Sequence, residues 1–91
     1  MTAIKLTAEQ LLAIADALAE RQPVHVRSFA ALAGAAAVPG ARFEGIPVFD
    51  TAAAAAAALA DAIVRLAPLT AHNEEFAQVA YEVYLKWSAR N

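Results

Sequence analysis

Cysteine is absent from this sequence, which excludes a disulfide framework and any zinc site built on thiolates, and is compatible with a reducing compartment. Glycine is scarce: the chain has 3, lying far apart, so a glycine-rich loop that cradles phosphate cannot be assembled. Positive charge is short as well. With 7 Lys and Arg against 9 Asp and Glu, the net charge is -2, too little for a broad electrostatic grip on nucleic acid or acidic lipid. Long hydrophobic runs are missing too, since the longest uncharged one, Ala52 to Ala60, falls far short of the ~20 residues a membrane span needs. The opening stretch MTAIKLTAEQLLAIADALAE has a lysine and small apolar residues, but Glu9, Gln10 and Asp16 interrupt it, leaving no uncharged core for a secretory signal. These shortages predict a cytoplasmic protein with no nucleic-acid partner and no membrane partner.

What remains is mostly apolar, at 60% of 91 residues, enough for one core and one domain over residues 1–91. Thr7 with Gln10 fits a capping box, and Leu6 with Leu11 a hydrophobic staple, so a helix should begin at Ala8. Its inward face is Leu11, Ile14, Ala15 and Leu18, and Pro23 should stop it near Arg21. Ser28 can cap a shorter helix with Phe29, Leu32 and Ala36 inward, ending at Pro39 and Gly40. In ARFEGIPVFD the helical period disappears, and a small hairpin or extended flap is expected there. Pro47 requires an edge on at least one side of it. Asp50 is the expected cap for the alanine-rich helix that ends before Pro68. Asn73 then caps a last helix whose apolar stripe is Phe76, Val79, Ala80, Val83, Tyr84 and Trp87. Trp87, Phe76 and Val83 are expected at the centre of the core. The fold class is therefore all-α, a mainly helical bundle with a small β-hairpin.

Few residues offer chemistry. His25 lies between two valines and reads as a partly buried structural histidine, while His72 stands at the start of the last helix with no carboxylate following at a metal-ligand spacing. No metal site and no cofactor are expected. Ser28 and Ser88 read as a cap and a surface residue. The junction APLTAHNEEFA, Ala67 to Ala77, is the kind of helix start where anions settle, yet Glu74 and Glu75 occupy its first turn.

The order of elements, with ARFEGIPVFDTAAAAAAALADAIVRLAPLTAHNEEFA at its centre, resembles the Fic/Doc family, and within it the shorter Doc-like toxins of toxin–antitoxin modules. The resemblance covers nearly the whole chain and implies a Fic/Doc-like bundle, short at its C-terminal side, with a flap, a helix and a signature loop in that order. The family signature runs His-Pro-Phe-x-Asp/Glu-Gly-Asn-Lys/Gly-Arg. In this sequence Ala67 stands at the catalytic histidine, Pro68 matches the proline, and Leu69 replaces the phenylalanine. Ala71 replaces the magnesium-holding acid, His72 the glycine, and Glu74 and Glu75 the phosphate-binding cations; Asn73 is retained. A unit of phosphate charge about 6 Å from a carboxylate costs roughly 3 kcal/mol at an effective dielectric near 20. Alanine, moreover, takes no proton.

The resemblance thus implies a catalytically inactive binding component, a pseudoenzyme whose partner is an antitoxin-like chain, an active relative or the family's usual target, with a second copy as the further partner. Its flap residues Phe43, Ile46, Val48 and Phe49 would form the partner surface by strand addition. Two alternatives stand beside it. One is an enzyme transferring a nucleotidyl or phosphoryl group with His72 as substitute base; the other is a structural, oligomer-forming subunit.

Overall fold

In a computed structural model that describes residues 3–90, four helices and one hairpin follow the order expected from the sequence. Helix α1, Ala8–Ala19, opens on a reciprocal cap: the Thr7 hydroxyl accepts from the Gln10 amide at 3.0 Å, and the Gln10 side chain accepts from the Thr7 amide at 2.9 Å. It buries Leu11, Ile14, Ala15 and Leu18, and its cap at Glu20 falls just short of the expected end at Arg21. Helix α2, Phe29–Ala37, is capped by Ser28, whose hydroxyl accepts from the Ala31 amide at 3.0 Å. Leu32, Ala35 and Ala36 are its buried residues. Phe29 is not among them: its side chain is 66% exposed. The first residue of a helix projects beyond the turn that its neighbours bury, and no later element covers it.

Strands β1, Arg42–Phe43, and β2, Ile46–Pro47, pair antiparallel with Arg42 opposite Pro47 and Phe43 opposite Ile46. Glu44 and Gly45 between them both have positive φ, 51° and 82°, as a two-residue hairpin turn requires. The Arg42 guanidinium donates to the Gly45 carbonyl at 2.8 Å and braces the turn.

Helix α3, Ala52–Leu66, is capped by Thr51 and not by Asp50; the Thr51 hydroxyl accepts from the Ala54 amide at 3.1 Å. Both residue types cap well, and the extended backbone at Thr51 decides between them. Alanines at 52, 55 and 56 are buried with Leu59 and Ile63. Without a larger side chain in the way, α3 and α4, Asn73–Arg90, pack as the principal pair of the fold. No helix among the described residues is long and apolar enough to cross a membrane.

The centre of the core differs from expectation in one respect. Phe76, Ala80 and Tyr84 are fully buried, whereas Val83 and Trp87 are half-buried at its edge. The apolar stripe of α4 is wider than the line of closest approach, which runs through 76, 80 and 84, so 83 and 87 fall to one side. Ser88, expected at the surface, is also fully buried, with no hydrogen-bond partner for its hydroxyl. Tyr84 carries a second task. Its hydroxyl donates to the Ile4 carbonyl at 2.6 Å and accepts from the Ile4 amide at 2.8 Å, tying the N-terminal strap across α4.

Urea denaturation of single variants should rank these positions. Phe76→Ala should cost about 3 to 5 kcal/mol, and half-buried Trp87→Ala clearly less. Tyr84→Phe should cost about 1 to 3 kcal/mol through the unpaired Ile4 groups it leaves behind. A Trp87 variant less stable than the Phe76 variant would contradict this packing.

Candidate functional site

The loop between α3 and α4 is built around the end of α3. Proline disfavours helical geometry in the residue before it, and Ala67, preceding Pro68, takes a left-handed conformation with φ 46° and ψ 64°. The helix then stops, leaving its last carbonyls without amide partners. Arg27 supplies donors: its Nε bonds the Ala67 carbonyl and its Nη2 the Leu66 carbonyl, both at 2.8 Å. A cation at a helix C-terminus is favoured by the helix dipole as well.

The same segment of chain closes the rest of the loop. The amides of Arg27 and Ser28 both donate to the Pro68 carbonyl, at 2.7 and 3.2 Å. Val26 and Leu69 form an antiparallel bridge. Beyond it the Thr70 amide donates to the His25 carbonyl at 2.9 Å, and the Thr70 hydroxyl accepts from the His25 amide at 3.1 Å. His25 therefore contributes its backbone. Its side chain is exposed rather than partly buried, and lines a small cavity of about 160 Å³ with Asp16, Val24 and Leu69.

Asn73 holds the other end of the loop. Its Oδ1 accepts from the Leu69 amide and its Nδ2 donates to the Leu69 carbonyl, both at 3.0 Å. The expected helix cap is thus the first residue of α4, with its side chain turned back across the loop. His72 precedes it in left-handed backbone, φ 59°, and its carbonyl accepts the first helical bond, from the Phe76 amide at 2.9 Å.

Around this frame, Ala71, His72, Glu74 and Glu75 are exposed. Glu75 lies 3.8 Å from the His72 Nδ1 and accepts from Gln22 Nε2 at 3.4 Å. The loop thus brings together the positions from 67 to 75, but its Leu69 and Thr70 amides are engaged within the protein. Two carboxylates, Glu74 and Glu75, stand in the first turn of α4 that follows it. Among the described residues no group of His, Asp and Glu side chains is placed to hold a metal ion.

The hairpin is a separate surface. Strand geometry sends alternate side chains to opposite faces, so Phe43, Ile46 and Val48 share one face and Arg42, Pro47 and Phe49 the other. The first three are 71%, 69% and 54% exposed. Phe49 is half-buried and packs against the core, beside a cavity of about 270 Å³ that also touches Ala3, Arg42, Pro47 and Asp50. Of the four flap residues read from the sequence, three point away from the protein and one toward it.

Arg27 escaped the sequence reading. It is an ordinary surface-type residue beside a cap, and nothing local indicates that its partners lie about forty positions further on. No family model, no curated protein and no solved structure matches the chain.

Asn73→Ala should destabilise the protein by about 1 to 3 kcal/mol, since both Leu69 backbone groups lose their partner, whereas Glu74→Ala should cost about 0.3 to 1 kcal/mol through the helix dipole alone. Amide hydrogen exchange at Leu69 should accelerate in the first variant and not in the second.

Proposed function

We propose that this protein is a catalytically inactive Fic/Doc-like cytoplasmic chain that works by binding another protein, as a component of a toxin–antitoxin-type module, with the hairpin as its contact surface. The observation that carries the reading is the outward face of that hairpin, where Phe43, Ile46 and Val48 stand exposed side by side with no polar residue among them. An apolar face held clear of the core marks an interaction surface. The braced two-residue turn presents it with little conformational freedom left to lose on binding.

The loop supports the inactive half of the reading. Ala67 offers no base, and its carbonyl accepts from Arg27, while Ala71 offers no oxygen to magnesium. Glu74 and Glu75 repel the phosphates that the family's cations attract. The retained asparagine serves the loop's own backbone.

The test pairs the chain with the product of its neighbouring reading frame. Phe43→Asp with Ile46→Asp should weaken that complex by about thirtyfold or more, as loss of central apolar anchors does, while the far-ultraviolet circular dichroism stays unchanged. Unchanged affinity would remove the hairpin from the contact. Calorimetry with ATP and magnesium should give no saturating isotherm at millimolar nucleotide. An isotherm that disappears in His72→Ala would return the protein to nucleotidyl or phosphoryl transfer.

A further inference from the structure

The hairpin stands on two roots and little else. Pro39 is fully buried and Phe49 packs against the core, but among the described residues neither β1 nor β2 lies against a helix. Beyond the ladder its hydrogen bonds are internal, from the Val48 amide to the Ala41 carbonyl and from Arg42 to Gly45. Behind its inner face lies the cavity of about 270 Å³, and side chains that border a void lose the contacts that would fix them.

The element that reaches this cavity from the body of the protein is the N-terminal strap, residues 3–6. Ala3 lines the cavity with Arg42 and Pro47. Lys5 crosses Gly40, at the first root, so closely that a Cβ there would stand 3.3 Å from the Lys5 Cα and 3.0 Å from its Cγ. The strap itself is tied at one point. Leu6 is buried and Thr7 caps α1, but the hydrogen bonds of residues 3–6, among the described residues, are the two between Ile4 and the Tyr84 hydroxyl. A segment tied by one side-chain oxygen opens more readily than the helices around it.

We infer that the strap is a latch for the hairpin. With Ile4 on Tyr84, residues 3–5 back the hairpin from its inner side and hold Phe43, Ile46 and Val48 in one outward pose. When Ile4 leaves Tyr84, the strap hinges at Leu6 and the hairpin becomes mobile about Pro39 and Phe49. The inference rests on the hairpin reading only for its consequence in binding: a contact surface that must first be ordered binds more weakly. Coupling of this kind is reciprocal, so a partner that holds the latched pose slows the release of Ile4.

Tyr84→Phe keeps the ring in the core and removes the oxygen that ties Ile4. In NMR relaxation measurements, order parameters of the Phe43, Glu44, Gly45, Ile46 and Val48 amides should fall from about 0.85 in the native chain to below about 0.6 in this variant. Exchange of the Ile4 amide should quicken about tenfold, and affinity for the product of the neighbouring reading frame should drop about threefold to tenfold. Ile4→Pro, which removes the donated bond and leaves Tyr84 intact, should loosen the hairpin as well. Asn73→Ala, expected to lose as much stability at the other end of the fold, should leave the hairpin order parameters unchanged. A hairpin equally rigid in Tyr84→Phe and Ile4→Pro overturns the latch, and so does one that loosens as much in Asn73→Ala. A hairpin that loosens while affinity stays unchanged, both here and in the Phe43→Asp, Ile46→Asp chain, supports the latch and removes the hairpin from the contact.

Discussion

Pro68 ends α3, and the loop side of the protein is organised around the backbone groups that this ending leaves open. A helix stopped by proline exposes carbonyls that must find donors. Here the donors come from the α1–α2 linker: the Arg27 guanidinium for Leu66 and Ala67, and the Arg27 and Ser28 amides for Pro68 itself. Once these bonds fix the linker, Ser28 is in place to cap α2 and Val26 to bridge Leu69. The direction of α2 and the shape of the loop before α4 thus follow from a single backbone constraint. Left-handed backbone at Ala67 and His72 is unfavourable for residues with a Cβ, and it persists because the bonds around it leave no alternative path.

On the opposite side the constraint is volume. Alanines at 52, 55 and 56 bring α3 and α4 close but fill little space, so Leu59, Ile63, Phe76 and Tyr84 must supply most of the dense packing. A chain of 91 residues has little surplus stability, and a few large side chains carry a large share of it. The bond pair between Tyr84 and Ile4 is consistent with this economy: one buried side chain fills the core and also fastens the terminal strap.

Much of this was readable from the sequence, and the exceptions have physical reasons. Thr7 with Gln10 declares a helix start because both halves of the device are local. Asp50 and Thr51 are adjacent and chemically equivalent as caps, so only the backbone path separates them. Periodicity gives the α4 stripe, but 76, 80 and 84 are distinguished from 79, 83 and 87 by where α3 and α1 lie against it. Phe29 looks like a core residue by composition and is exposed by position. The loop could be recognised as a junction, while its closure by Arg27 depends on a contact between distant parts of the chain.

That closure bears on where interactions with other molecules can occur. Ahead of α4 the Leu69 amide meets Asn73 and the Thr70 amide meets His25, and in the first helical turn, where anions bind helix starts, Glu74 and Glu75 stand beside the amides. Freeing the Thr70 amide for a ligand would break a bond that holds the α1–α2 linker, and an anion at the first turn would meet two carboxylates. The hairpin carries no such obligation: its turn is braced within itself, and Phe43, Ile46 and Val48 can be covered without disturbing a single buried group. Binding there breaks no internal bond and meets no like charge, which is the physical reason to seek a protein partner at the apolar hairpin before seeking a nucleotide beside Glu74 and Glu75 at the helix start.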